Sequence, residues 1–354
     1  MGALIPPSDD QGLGEGYHSP QVDVAVRLNT NESPYPPPRP FVHALAEELA
    51  TVAFHRYPER SARGLREALA GLHGVAPEQV FVANGSNEVL QTVLLTFGGP
   101  GRQAAVFEPT YALHSHLSHL TRTGLWVGER GPDFALDVGE VKRAAGEAQP
   151  SLTFLCSPNN PTGGAETRAV VEEVLDLGPG LVVVDEAYGQ FAPWSALELA
   201  GDDVGLLVVR TYSKTWSLAA LRLGYLVGPA SVVAELERRA LPYHLDAVKQ
   251  AAGRLAVRFT AEMEARVSAV KDERERLVAA LARLPVETWP SDANFVLFRP
   301  VGRPGREVWS GLVERSVLVR DVGAWSRLDG CLRVTVGTPG ENDAFLQALG
   351  EVLA

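Results

Sequence analysis

The chain contains 354 residues, of which 45% are hydrophobic and 21% are charged, and its formal net charge at pH 7 is −11. This length and composition are typical of a globular protein with one large and one smaller domain. The acidic balance argues against a nucleic-acid partner, and no apolar run in the sequence approaches the roughly 20 residues that span a bilayer, which argues against a membrane partner. Two cysteines without a signal-peptide pattern predict a cytoplasmic protein.

Short apolar runs and helical patterns alternate along the chain from about residue 79. We predict strands at 79–83, 104–107, 151–156, 181–184, 205–210 and 223–227, and helices at 87–97, 111–122 and 166–177. Buried strands separated by helices are typical of a mostly parallel sheet that is covered by helices on both faces. The fold class predicted for this part of the chain is therefore α/β.

The pattern changes after residue 245. Residues 246–284 predict one long helix, followed by strands at 295–299, 317–320 and 333–336 and helices at 306–315 and 341–353. We interpret this region as a smaller α+β domain. The predicted division is an N-terminal segment 1–42 that contributes to the small domain and the cleft, a large domain 43–245 and a small domain 246–354.

Polar residues that directly follow predicted strands are the candidates for a site, because open α/β sheets bind ligands at the carboxyl ends of their strands. Ser86 and Asn87 open the first helix, where free N–H groups suit a phosphate, although both are also common helix N-caps. Asn160 lies in the motif 158–163, where two prolines fix the backbone around an amide, or simply form a turn. Asp185 suits pairing with a protonated ring nitrogen, and a helix N-cap is the alternative.

Lys214 follows the predicted strand 205–210 and is the candidate nucleophile. A lysine forms Schiff bases with carbonyl compounds once its amine is neutral, although most single lysines are solvated surface charges. Ser213 and Arg222 flank Lys214, and a hydroxyl with a guanidinium can hold a dianionic phosphate. This neighbourhood favours a functional lysine.

Two further groups of residues complete the candidates. Arg320 and Arg333 occur in late strands of the small domain, and arginine suits bidentate capture of a carboxylate or phosphate, with a surface arginine as the alternative. His114, His116 and His119 lie close together in a predicted helix. The sequence places no convincing carboxylate or cysteine beside them, so we expect solvated or core histidines and no metal site.

Taken in chain order, these motifs resemble the fold-type I aminotransferases that depend on pyridoxal 5′-phosphate (PLP), and within them the histidinol-phosphate aminotransferase group. The resemblance runs from about residue 17 to the C-terminus and rests on the strings at 27–32, 56–58, 84–88, 109–111, 158–163, 185–188, 213–214, 222–225, 293–295, 319–321 and 332–338. It implies PLP as cofactor, a small-molecule amino donor and a 2-oxo acid as substrates, and a homodimer.

The resemblance also implies a role for each matched residue. Around the cofactor ring, it implies that Lys214 is attached covalently and that Asp185 pairs with the ring nitrogen. It also implies that Tyr188 and Asn160 contact the ring hydroxyl oxygen and that Tyr111 stacks on the ring. The implied contacts of the cofactor phosphate are Ser86, Asn87, Ser213, Arg222 and, from the neighbouring subunit, Tyr57. The residues implied on the substrate side are Arg333, its helper Arg320, Tyr17 and Asn31.

The activity that the resemblance implies is transamination of L-histidinol phosphate with 2-oxoglutarate, which gives imidazole acetol phosphate and glutamate in histidine biosynthesis. Ser33, Ala220 and the pair 215–216 depart from the usual family pattern on the pocket wall. The alternatives are an aromatic-amino-acid aminotransferase of the same family, a PLP-dependent decarboxylase of a phosphorylated amino acid, and a non-catalytic regulatory protein of the same fold.

Overall fold

The computed structural model describes residues 21–178 and 180–354. Its strands are β1 (Val26–Leu28), β2 (Val80–Ala83), β3 (Gln103–Glu108), β4 (Gly124–Glu129), β5 (Leu152–Cys156), β6 (Leu181–Asp185), β7 (Leu206–Thr211), β8 (Gly224–Val227), β9 (Val286–Thr288), β10 (Phe295–Pro300), β11 (Val317–Asp321) and β12 (Leu332–Thr335). Its α-helices are α1 (Arg39–Leu49), α2 (Arg63–His73), α3 (Ser86–Phe97), α4 (Leu113–Leu120), α5 (Val138–Glu147), α6 (Arg168–Leu177), α7 (Ala230–Arg239), α8 (Ala247–Val257), α9 (Thr260–Leu281), α10 (Gly305–Glu314) and α11 (Pro339–Leu353).

The larger sheet has the strand order β2-β8-β7-β6-β5-β3-β4. The strands from β7 to β4 run parallel to one another, whereas β8 runs antiparallel to both of its neighbours. Helices cover both faces: Val183 packs on the side of α3, α4 and α7, and Val182 packs on the side of α5 and α6. The prediction of a mostly parallel sheet flanked by helices is confirmed.

The prediction of one long helix over 246–284 is wrong, because the chain breaks between α8 and α9. Phe259 leaves the helical conformation at this point, with φ −111° and ψ 29°. Its ring packs edge-on against Phe41 of α1, with ring centroids 5.8 Å apart. No glycine or proline marks the break, so tertiary packing rather than local sequence produces it.

The smaller sheet has the strand order β1-β11-β12-β10-β9. Strand β1 pairs in parallel with β11, so residues near the N-terminus join a sheet built mainly from the C-terminal part of the chain. This pairing carries residues 29–32 to the edge of the larger sheet, where the candidate site lies. In the part of the chain that the structure describes, no helix has the length and apolarity required to cross a lipid bilayer.

Candidate functional site

A cavity of about 180 Å³ lies where the carboxyl ends of β5, β6 and β7 meet the start of α3 and the segment after β1. The residues that line it are Thr30, Asn31, Ser86, Asn87, Tyr111, Cys156, Asn160, Asp185, Ala187, Tyr188, Thr211, Ser213, Lys214, Arg222 and Arg333. Most of the residues singled out in the sequence therefore surround one space. Tyr57 and Arg320 are not among the lining residues, and Tyr17 falls outside the described residues.

Lys214 reaches the cavity from the loop that follows β7. Its Nζ donates a hydrogen bond to the carbonyl oxygen of Thr30, at 2.9 Å. Burial, followed by the positive charge of Arg333, lowers the pKa of Lys214 to about 7. An amine with this pKa is neutral in a large fraction of molecules at neutral pH, as a nucleophile or general base must be.

Asp185 ends β6 and is almost completely buried. Its Oδ1 accepts a hydrogen bond from the Ala187 backbone N–H at 3.1 Å, and its Oδ2 lies 3.2 Å from Nε2 of His114. The His114 ring stacks on Phe154, with centroids 4.9 Å apart. His114 is thus a core histidine, as expected. It also orients the Asp185 carboxylate, and this role was not predicted from the sequence. Its position three residues after Tyr111, one turn along the chain, was the available signal.

The start of α3 forms one end of the cavity and is shaped to receive an anion. Gly85, rather than Ser86 or Asn87, is the N-cap residue, with φ +88°. A Cβ atom on Gly85 would lie 3.0 Å from Nη2 of Arg222, so the absence of a side chain keeps this end open. Arg222 Nη1 donates to Oγ of Ser213 at 3.2 Å. Helix N–H groups, a hydroxyl and a guanidinium therefore converge, as a phosphate site requires.

Tyr188 and Asn31 form the wall next to Lys214. The amide Nδ2 of Asn31 donates to the Tyr188 hydroxyl oxygen at 2.9 Å. The Lys214 Nζ lies 5.6 Å from the centroid of the Tyr188 ring. Asn31 was predicted on the substrate side, and the structure places its side chain against Tyr188.

Arg333 enters the cavity from β12 and is held by two acceptors. Its Nη1 donates to Oδ1 of Asn160, and its Nη2 donates to the carbonyl oxygen of Asn29 at 3.0 Å. Arg320 of β11 stands directly opposite Arg333 in the antiparallel ladder. Both arginines are buried, and like charges directly opposite each other in a sheet are unfavourable. Arg333 lines the cavity, so its guanidinium can meet an anionic group that is bound there.

Tyr57 lies on the surface, with 81% of its area exposed. Its ring stacks on Tyr243, with centroids 4.7 Å apart. Phe54 and Leu241 are also exposed large hydrophobic residues. Tyr57 therefore does not contribute to the cavity of its own chain in this structure.

Comparison with known proteins gives the family. Residues 23–349 match the model of aminotransferase class I and II. The chain is 47% identical to a histidinol-phosphate aminotransferase of Frankia casuarinae, over 95% of this chain and 87% of that protein, and 42% identical to one of Mycobacterium avium, over 99% and 89%. A solved histidinol-phosphate aminotransferase of Sinorhizobium meliloti in complex with pyridoxal-5′-phosphate has the same fold, with a TM-score of 0.85 at 22% identity over 94% of this chain and 91% of that one. The chain belongs to the class I and II aminotransferases.

Proposed function

We propose that this PLP-dependent aminotransferase transfers the amino group of L-histidinol phosphate to 2-oxoglutarate, which gives imidazole acetol phosphate and glutamate. The observation that carries the substrate assignment is the buried Arg333, which lines the cavity, with the buried Arg320 opposite it in the ladder between β11 and β12. Histidinol phosphate has no carboxylate, so its phosphate must occupy the anion site. 2-Oxoglutarate can present a carboxylate to the same guanidinium groups. The names of the relatives support the same assignment.

The residues around the cavity fit PLP. The start of α3 with Ser213 and Arg222 suits the dianionic phosphate, since the open Gly85 leaves room there. Asp185, at the other end, suits the protonated ring nitrogen, and Lys214 suits the aldehyde. We assign Tyr188 and Asn160 to the ring hydroxyl oxygen, Tyr111 to the ring face, and Ser86 and Asn87 to the phosphate.

When bound, PLP supplies an electron sink for the electrons of the substrate Cα–H bond. The neutral Nζ of Lys214 would accept the proton from the substrate Cα and would then deliver it to the cofactor carbon that carries the amino group. The carboxylate of Asp185 holds a proton on the ring nitrogen, and the hydrogen bond to His114 keeps the carboxylate in place. Arg333 binds and orients the acidic group of each substrate in turn. Because both substrates use the same arginine, they cannot bind together, and the kinetics are ping-pong.

We also propose a homodimer in which Tyr57 contacts the cofactor phosphate of the neighbouring subunit. Phe54, Tyr57, Leu241 and Tyr243 are exposed, and Tyr57 stacks on Tyr243; this exposed cluster supports a partner surface at this position, because exposed apolar patches mark interaction sites. The division into segment 1–42 and domains 43–245 and 246–354 remains a prediction. Helix α8, at the start of the predicted small domain, packs against α1 and α2, which precede it in the chain. We propose a cytoplasmic location, which the two free, buried cysteines support.

A panel of amino donors assayed with 2-oxoglutarate tests the substrate assignment. We expect kcat/KM for histidinol phosphate to exceed that for phenylalanine by at least about 100-fold, since two charge-assisted hydrogen bonds to the phosphate are at stake. Histidinol without its phosphate is the matched control and should lose a similar factor. A clear preference for phenylalanine would establish the aromatic-amino-acid alternative, and release of carbon dioxide from a phosphorylated amino acid would establish the decarboxylase.

A further inference from the structure

Three buried side chains form a hydrogen-bonded row that runs from the cavity wall into the protein. Tyr188 is 5% exposed, Asn31 is 1% exposed and Thr335 is 4% exposed. The Asn31 Nδ2 donates to the Tyr188 hydroxyl oxygen at 2.9 Å, and the Thr335 Oγ1 donates to Asn31 Oδ1 at 3.2 Å. Thr335 was not singled out in the sequence, and it lies behind the cavity wall rather than in it.

The chemistry of the groups gives this row a direction. The Thr335 hydroxyl oxygen accepts the backbone N–H of Asn31 at 2.9 Å, and its own proton points to Oδ1 of the same residue. In the structure, Oδ1 of Asn31 faces Thr335 and Nδ2 faces Tyr188. Since Nδ2 can only donate, the Tyr188 oxygen is the acceptor in their hydrogen bond. The Tyr188 hydroxyl proton must then be directed to a different acceptor.

The small sheet holds the row in place. Asn31 adopts the left-handed backbone conformation, with φ +54°, which asparagine tolerates better than most residues other than glycine. The Nδ2 of Asn294 donates to the Asn31 carbonyl oxygen at 3.1 Å and stabilises this conformation. Thr335 pairs with Phe295 across β12 and β10, and the Phe295 ring packs edge-on against Tyr188 with centroids 5.1 Å apart. The orientation of Tyr188 therefore depends on contacts from the small sheet.

We propose that Thr335 and Asn31 are positioning residues that direct the Tyr188 hydroxyl proton at the ring oxygen of PLP. This inference rests on the cofactor placement in the proposed function. A hydrogen bond donated to an anionic oxygen favours the anion, and so lowers the pH at which the bound cofactor loses its proton. In this arrangement, the small sheet sets the protonation of the cofactor without touching it.

The test is a pH titration of the visible absorption of the holoenzyme. Thr335→Val removes the hydroxyl and keeps the side-chain shape, so the Asn31 amide can rotate and take the Tyr188 proton. We expect the midpoint of the absorbance change to rise by roughly one pH unit, the equivalent of weakening one hydrogen bond to a charged group. Thr335→Ser keeps the hydroxyl and should titrate like the wild type. Thr335→Ala removes the same hydroxyl with different packing and should shift like Thr335→Val.

A double-mutant cycle separates the row from a general loosening of the site. In a Tyr188→Phe background no proton remains to be directed, so Thr335→Val should cause no further shift. An unchanged midpoint in both Thr335→Val and Thr335→Ala, or a shift that persists without the Tyr188 hydroxyl, would overturn the inference. The titration needs only cofactor binding. A wild type that binds PLP but does not use histidinol phosphate would therefore refute the proposed function and leave this test readable.

Discussion

At the residue scale, the environment of one amine sets when the site is ready to react. Lys214 has a pKa near 7 because burial disfavours its ammonium form and Arg333 adds a repelling charge. Burial is the larger cause. The carbonyl oxygen of Thr30 accepts a hydrogen bond from Nζ, which an amine can donate in either protonation state. The amine is thus held in the cavity in both forms and is neutral above about pH 7.

The rate at which the apoprotein incorporates PLP should therefore follow the neutral amine. We expect this rate to rise about tenfold per pH unit below pH 7 and to level off above it, because only the uncharged nitrogen attacks an aldehyde. Borohydride trapping after timed additions of PLP measures the rate. Arg333→Met removes a positive charge and should raise the midpoint, and Lys214→Arg should give no trapped product. A rate that keeps rising to pH 10 would show an ordinary lysine.

The residues of the site could be predicted from the sequence where a side chain itself forms a motif. Asp185 and Lys214 stand at the carboxyl ends of strands, Arg222 precedes β8, and the fold brings all three around one cavity. The carbonyl of Thr30 could not be predicted, because any residue can supply a backbone oxygen. Thr335 acts through Asn31, about 300 residues away in sequence, and the pairing of β1 with β11 and of β11 with β12 brings their segments together.

At the element scale, the strands that are buried on both faces were the ones that continuous apolar runs predicted. Strand β6 is fully apolar up to Asp185, and its neighbours β5 and β7 cover both of its edges. The edge strand β4 was missed, because two glycines interrupt its apolar run and most of its residues are only partly buried or exposed. The break between α8 and α9 was missed because no glycine or proline marks it, and Phe259, which stands at the break, packs against the distant ring of Phe41.

The contact between β8 and α3 gives a prediction for the anion site. A Cβ on Gly224 would lie 2.3 Å from the backbone nitrogen of Ser86, and this backbone cannot move without shifting the start of α3. We expect Gly224→Ala to weaken PLP binding at least tenfold and to destabilise the protein by about 1–3 kcal/mol. Cofactor titration by fluorescence and urea unfolding of the apoprotein measure the two effects.

Gly71→Ala is the matched control for this substitution. Gly71 lies in α2 with open space around its added Cβ. The control should leave PLP affinity unchanged and stabilise the protein by about 0.5–1 kcal/mol, because alanine is the better helix former. Equal PLP affinity in the two variants would show that the start of α3 does not hold the phosphate.

At the scale of the whole molecule, the two sheets share one hydrophobic core and one site. The core that contains Tyr188 and Tyr225 also contains Phe295 and Val334 of the small sheet. Lys214 and Asp185 come from the large sheet, whereas Asn31 and Arg333 are carried by the small one. The amine and the substrate-binding arginine therefore come from different sheets, and the relative position of the sheets decides whether the substrate meets the amine.

The proposed homodimer extends this division to a second chain, and hybrid dimers test it. Lys214→Ala and Tyr57→Ala should each inactivate or strongly impair the homodimer. A hybrid with one chain of each kind, co-expressed with two different tags and purified through both, contains one intact site if Tyr57 acts on the neighbouring subunit. The Lys214 of one chain then meets the Tyr57 of the other, and we expect about half of the wild-type turnover.

The opposite arrangement predicts a different result for the same hybrid. If Tyr57 served its own chain, the subunit that keeps Lys214 would lack its tyrosine, and the hybrid would be as impaired as its parents. Tyr57 is 81% exposed and stacked on Tyr243 at a distance from the cavity, so an action within its own chain would require this stack to open. Recovery in the hybrid requires only that the exposed cluster around Tyr57 meets the second subunit.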